Sequence, residues 1–285
     1  MPEASMTPAA GGASDTPIVV EHITHIYPGG VLALKETNLT IHKGEVLGVV
    51  GQNGSGKTTL VKHFNGLLRP SSGKLLIMGQ DSAAQPVHTL ARHVGYVFQN
   101  PNHQIFSTSV QAELTFGPTN LGLPPEEVKV RVAEAAEFFE LNPLLERHPY
   151  RLAFPLRKLV GMASVYAMDP AVMVLDEPTT GQDHEGSNLV RKLVRRLREQ
   201  GKTVVIVSHD MALMAEVTDR LVALWSAEVI AVGSPREIFA NDDVMQRTKL
   251  HPPQITQFTR RRWPGDPQRL ALSVAEAVKL MSEAR

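Results

Sequence analysis

Three features of the sequence predict an α/β fold built on a mostly parallel sheet. From Ile18 onward, apolar runs of strand length alternate with stretches of helical period. One of these runs, residues 45–50, passes directly into a glycine-rich loop and then a helix pattern. The chain has 285 residues, 42% hydrophobic and 20% charged, which suits one large folded core with a small appendage.

The elements follow in order. Residues 1–16 are rich in Pro, Ala, Gly and Ser and are expected to form a flexible tail. They lack the basic-then-apolar order of a secretory signal. Residues 18–26 and 34–41 read as strands, the second with polar residues interleaved. Residues 45–50 form a compact apolar strand, and residues 57–68 a helix. Further strands are expected at 74–78 and 94–98. Residues 124–141 give the clearest helix: Pro124 and Pro125 open it, and Glu126 and Glu127 fill its first turn. A helix at 156–168 leads to alternating strand 171–175, helix 185–200, strand 203–207 and helix 211–217. Strands at 220–225 and 229–232 close the main domain, which spans residues 17–233. A composition break at Gly233-Ser234-Pro235 starts a polar extension over residues 234–285, with a last helix at 273–284. The basic run Arg260-Arg261-Arg262 in it reads as a solvated turn.

Composition excludes several classes. Lys+Arg and Asp+Glu both total 29, so no net charge steers the chain to nucleic acid. The absence of cysteine excludes disulfides, thiolate metal sites and thiol nucleophiles. No apolar run approaches the ~20 residues of a bilayer span, so the chain is not expected to be a channel or carrier by itself.

Gly51-Gln52-Asn53-Gly54-Ser55-Gly56-Lys57-Thr58 matches G-x-x-x-x-G-K-[ST] between a strand and a helix. Glycines let such a loop turn its backbone N–H groups inward around phosphate oxygens. Lys57 is placed to reach the outer phosphates and Thr58 to put its hydroxyl on Mg²⁺. The candidate nucleotide-binding set is Gly51, Asn53, Gly54, Ser55, Gly56, Lys57, Thr58 and Thr59.

The apolar strand Val172-Met173-Val174-Leu175 ends in Asp176-Glu177. Acids at the carboxyl edge of an α/β sheet stand where ligands bind. Asp176 suits a Mg²⁺ role, and Glu177 suits polarising an attacking water. Gln99 and His209 each follow an apolar strand, and Tyr27 precedes Pro28-Gly29-Gly30. Taken singly, Gln99 and His209 read first as a loop residue and a structural histidine, and Tyr27 has a packed tyrosine as its alternative.

In combination the motifs are specific. The phosphate loop, Phe98-Gln99-Asn100, the run from Val174 to Asp183 and Val207-Ser208-His209-Asp210 resemble the ABC ATPase family over residues 18–232. The resemblance implies a P-loop NTPase fold with an antiparallel β portion and a helical subdomain at about residues 100–168. It makes Gln99 a metal- and water-facing residue, His209 a γ-phosphate switch, Asp183 a dimer-facing aspartate and Tyr27 the adenine-stacking aromatic. ATP and Mg²⁺ are the implied ligands. A narrower resemblance, to the ATPase components of energy-coupling factor importers, rests on FQNPNHQIF from Phe98, FGPTNLGL from Phe116 and LHPPQIT from Leu250. Asn102-His103 departs from the acidic pair usual there. That family takes up vitamins or transition-metal ions such as cobalt and nickel. Two ATPases sit at the cytoplasmic face, under a transmembrane coupling protein that recruits a substrate-binding membrane protein.

One departure stands out. Where the family carries the signature L-S-G-G-Q, this chain has Leu152-Ala153-Phe154-Pro155-Leu156. The signature presents donors to the γ-phosphate held by the opposite subunit. Ala153 has no hydroxyl, Phe154 is bulky where glycine allows close approach, and Pro155 has no N–H. The expected unit is therefore a heterodimer whose second ATPase has an intact signature. Two other readings stand beside it: a regulatory subunit that no longer hydrolyses, and an ABC protein not tied to transport.

Overall fold

The structure is a computed structural model and describes residues 15–283. The tail expected over residues 1–16 lies outside the described residues apart from its last two. β1 (Ile18–Ile26) pairs antiparallel with β2 (Leu32–Ile41). β3 (Val46–Gly51) belongs to a second sheet and runs through the glycine loop into α1 (Lys57–His63). β4 (Ser72–Ile77) and β5 (Gln80–Asp81) complete an antiparallel sheet in the order β2-β1-β4-β5. α2 (Val87–His93) leads into β6 (Val94–Val97). Then come α3 (Val110–Asn120), α4 (Pro125–Phe138) and α5 (Phe154–Ala167), before β7 (Val172–Asp176). α6 (His184–Glu199), β8 (Thr203–Val207), α7 (Met211–Val217), β9 (Arg220–Trp225) and β10 (Glu228–Gly233) follow. α8 (Pro235–Ala240), α9 (Asp242–Thr248), α10 (Gln254–Arg262) and α11 (Val274–Glu283) close the described chain.

The second sheet has the order β10-β9-β3-β8-β7-β6. Every pairing in it is parallel except β10 on β9. Parallel strands need cover on both faces, and these have it. β3, β6, β7 and β8 are buried along their whole length. Alternation divides their side chains between two apolar cores. Met173, Leu175, Val204 and Ile206 join the helices on one side. Val172, Val174, Val205 and Val207 join Leu60, Phe64 and the antiparallel sheet on the other. The α/β class, the parallel core, the antiparallel sheet and a block of helices between β6 and β7 are all present.

Several boundaries differ from the sequence expectation. The helix expected over residues 57–68 ends at His63, because Gly66, at φ +77°, turns the chain and donates its N–H to His63 O. α2 and α3 were not anticipated. Leu90 is the one buried residue of α2, and Pro118 interrupts the pattern of α3. Arg260-Arg261-Arg262 forms the last turn of α10 rather than a solvated turn. Cations suit a helix C-terminus, and Arg260 also pairs with Asp242.

A histidine pair fastens the antiparallel sheet to α1. His63 Nδ1 donates to Thr59 O at 2.7 Å, so Nε2 is left to accept from His25 Nδ1 at 3.2 Å. His25 Nδ1 also donates to Arg69 O at 3.0 Å. Burial pulls the His63 pKa down to about 4, against the opposing pull of its backbone hydrogen bonds. The folded chain thus refuses a proton that the unfolded chain accepts below about pH 6.5. The stability this provides is complete above pH 6.5 and is lost as pH falls toward 4, about 3 kcal/mol over the window. A His63→Gln variant should show a shallower acid slope in denaturant titrations between pH 7.5 and 4.5. Parallel slopes for the two proteins would refute this origin.

Candidate functional site

The loop between β3 and α1 turns on its glycines. Gly51 and Gly56 have φ of +147° and +104°. A Cβ on Gly51 would lie 2.2 Å from Leu224 O, and one on Gly56 2.3 Å from Ala33 O. Neither position accepts a side chain. Lys57 folds its ammonium over the loop, donating to Gly51 O and Gln52 O at 2.8 Å each. Burial lowers its pKa, while Glu177 and Asp176 pull the other way. Ser55 Oγ is buried with no hydrogen-bond partner. An orphaned hydroxyl and a cation above a glycine loop form a site whose chemistry matches phosphate oxygens.

The sequence-predicted residues converge here. Tyr27, Asn53, Gly54, Gly56, Lys57, Thr58, Thr59, Gln99 and Glu177 line one cleft of about 450 Å³. Tyr27 is anchored at its edge, with its hydroxyl 3.1 Å from Thr59 Oγ1 and its ring edge-on to His25. Beneath the cleft, Asp176 is 1% exposed. Thr58 Oγ1 donates to Asp176 Oδ1 at 3.4 Å, and Tyr96 donates its hydroxyl to Oδ2 at 2.7 Å. Burial raises the Asp176 pKa above the ordinary carboxylate value despite these donors. Burial and the Asp176 charge push the Tyr96 hydroxyl up in turn, so it remains a donor. Next along the chain, Glu177 has a left-handed backbone at φ +51°. Its Oε2 meets His209 Nδ1 at 2.8 Å and accepts from Thr180 Oγ1 at 3.2 Å.

A Mg²⁺ ion fits this donor set. Thr58, Asp176 and Gln99 offer one hydroxyl, one carboxylate and one amide. Mg²⁺ takes one or two protein carboxylates and completes its shell with water and phosphate oxygens. Among the described residues no cluster of three His, Cys, Asp or Glu would hold a metal without such help.

Residues 152–156 lie elsewhere, at the start of α5. Ala153 occupies the N-cap and makes no side-chain cap, and Pro155 sits in the first turn. Arg157 N still reaches Ala153 O at 3.0 Å, so the helix forms. Gln182 donates to Pro155 O at 3.0 Å. Asp183 caps its own helix, accepting from Gly186 N at 2.8 Å.

Sequence reasoning missed three residues at the site: Tyr96, Thr180 and Lys158. Lys158 Nζ donates to Thr180 O at 3.0 Å and to Glu177 O. Its burial pulls the pKa down to about 8. The available signal was a cation on the buried side of an otherwise apolar helix, next to Arg157 and flanked by Leu156, Leu159 and Val160. Tyr96 lay three residues before Gln99 in a strand that reads as purely structural.

Comparison with known proteins points the same way. The family model for ABC transporters matches residues 34–180. The energy-coupling factor transporter ATP-binding protein EcfA of Methanothermobacter thermautotrophicus is 39% identical over 246 residues, covering 86% of this chain and 79% of that protein. An ABC transporter ATP-binding protein of Caldanaerobacter subterraneus is 37% identical over 247 residues; the match covers 87% of this chain, which spans 43% of that longer protein. The solved structure of cbiO1 from Clostridium perfringens, part of the ABC transporter complex cbiONQ, superposes with a TM-score of 0.72 at 35% identity. That match covers 86% of this chain and 99% of cbiO1.

The loop geometry makes Lys57 the test of nucleotide binding. Lys57→Ala should weaken MgATP in a direct titration by roughly 10–10²-fold, the scale of a charged hydrogen bond. Unchanged affinity would remove the loop from the site.

Proposed function

This chain belongs to the ABC transporter ATPase family, and we propose that it powers an energy-coupling factor importer of a vitamin or transition-metal ion. The relatives EcfA and cbiO1 support the importer class. The observation that carries the catalytic reading is the contact between Glu177 and His209, at the carboxyl edge of the sheet beside the phosphate loop.

In this reading ATP lies in the cleft with its adenine on Tyr27 and its phosphates against Gly51, Asn53, Gly54, Ser55, Gly56, Lys57, Thr58 and Thr59. Lys57 leaves its loop carbonyls for the outer phosphates. Thr58, Asp176 and Gln99 would hold Mg²⁺, which would supply neutralisation of charge on the phosphate oxygens. Glu177 accepts a proton from the attacking water, and its near-complete burial keeps the carboxylate short of competing solvent. His209, largely exposed while its Nδ1 stays on Glu177, is free to turn its other ring nitrogen toward the γ-phosphate. Tyr96 and Thr58 orient Asp176 beneath them.

The working unit proposed is a head-to-tail heterodimer at the cytoplasmic face of the membrane. A transmembrane coupling protein and a substrate-binding membrane protein complete it. Each ATP site would combine one subunit's phosphate loop with the other's signature. Ala153, Phe154 and Pro155 supply no signature donors, so the active site is the one built on this chain's Lys57 and Glu177 with the partner's signature. The opposite site is degenerate. Among the described residues no helix is long and apolar enough to cross a membrane. An exposed apolar pair offers the docking contact: Phe106 and Phe116 meet edge-to-face at 4.6 Å. The buried Glu113 carboxylate holds the Phe106-Ser107 backbone, accepting from both N–H groups.

The purified chain should hydrolyse ATP ~10²–10³-fold more slowly than the complex, the scale of a lost preorganised donor. In the complex, Glu177→Gln should cut turnover at least ~10²-fold while leaving nucleotide bound. The matching change in the partner should matter much less. Equal hydrolysis by the chain alone would overturn the asymmetric unit.

Phe106→Asp combined with Phe116→Asp should release the subunit from membranes while leaving its MgATP affinity unchanged. Retention in the membrane fraction would reject this docking face.

A further inference from the structure

Lys158 is 0% exposed and is among the largest fully buried side chains of the described residues. A buried ammonium requires acceptors, and this one has two backbone carbonyls, those of Glu177 and Thr180. Both belong to the turn that follows β7. That turn begins in an unusual conformation, because Glu177 is a non-glycine residue at φ +51°. Such a conformation is strained for a residue with a side chain and persists only where the surroundings impose it. The surroundings are visible here. Glu177 N donates to Val207 O at 2.8 Å, and Thr180 N donates to Glu177 O at 3.3 Å. Lys158 adds the contact from outside the turn. Two neighbours reinforce it: Gln182 donates to Pro155 O at 3.0 Å, and a Cβ on Gly181 would lie 3.0 Å from the Phe154 ring. The first turn of α5, which lacks the signature donors, is thus fastened to the segment that carries Glu177.

We propose that Lys158 is a positioning residue for Glu177: its ammonium holds the 177–180 turn so that the carboxylate faces the phosphate loop. This rests on the reading of Glu177 as the proton acceptor. It gives α5 a role in this chain's own ATP site, separate from the signature role it has lost. Lys158 is fully buried with its ammonium spent on the Glu177 and Thr180 carbonyls, so it acts through the backbone of that turn.

The test compares Lys158→Met, which keeps length and loses the donors, with Lys158→Gln, which keeps amide donors. An apolar replacement for a buried charge is compatible with folding, and thermal denaturation of each full-length variant checks it. Hydrogen exchange on the isolated chain reads the turn directly, without any partner. Lys158→Met should speed exchange of the Thr180 and Gln182 amides by about tenfold while β7 and β8 keep their protection. In the complex purified from membranes through a tag on this chain, Lys158→Met should lower kcat by ~10–10²-fold, with KM for ATP within about twofold. Lys158→Gln should recover most of both losses. Unchanged exchange and unchanged kcat in Lys158→Met would overturn the proposal. So would equal loss in both variants accompanied by a general fall in Tm, which marks Lys158 as ordinary core. Glu177→Gln in the same preparation is the control. Near-normal turnover there would reject Glu177 as the base, whereas the exchange result would still report whether Lys158 holds the turn.

Discussion

The site depends on one constraint: β3, β6, β7 and β8 run parallel in adjacent register. Parallel strands all end on the same side of the sheet. Val49 pairs with Val207, and Asp176 pairs with the same Val207. The glycine loop, the acidic pair and the His209 loop therefore leave the sheet within a few ångströms of one another. Gln99 arrives at the same edge because Val97 pairs with Leu175. Groups drawn from four distant stretches of chain converge through backbone hydrogen bonding alone. The long apolar stretches between them supply the burial that keeps the ladder in register.

That burial also sets the electrostatics. Asp176, Glu177, Lys57 and Lys158 lie within one largely desolvated layer. Each pays a solvation cost that its neighbours offset. Lys57 and Lys158 lose some basicity to burial, and the two carboxylates restore part of it. Asp176 is raised by burial even though Tyr96 and Thr58 donate to it. A buried carboxylate held by two hydroxyl donors is oriented before any ligand arrives, which is the arrangement electrostatic preorganisation requires.

Much of this was legible in the sequence. Short continuous apolar runs made β7 and β8 plain, and Thr203–Val207 and Met211–Val217 have the expected bounds. The glycine loop was legible because its glycines are imposed by backbone clashes with Leu224 and Ala33, not by a side-chain preference. The residues that went unread hold the site through long-range contacts. Tyr96 looks like any strand tyrosine until β7 places Asp176 beside it. Lys158 looks like a helix-surface lysine until the turn at Glu177 presents carbonyls to it. The partners that give both residues their roles are distant in sequence, so neither role has a spacing to read. α2 and α3 were missed for a different reason: each buries too few apolar residues to show a helical period.

The start of α5 shows how a helix separates packing from chemistry. Proline in the first turn loses an N–H that the helix itself does not need. The backbone consequently forms the same element, and its buried face, from Leu159 to Ala167, stays in the core. The other end of the helix, at Ala153, Phe154 and Pro155, is freer of the core. Phe154 instead packs toward Gly181, and Arg157 lies over the Phe154 and Tyr150 rings and donates to Asn102. These contacts turn the end of α5 inward, onto its own chain. Changes at this end and retention of the helix are therefore compatible. The residues at the start of α5 can vary, while the Lys158 side chain that holds the turn at Glu177 remains under the constraint of the core.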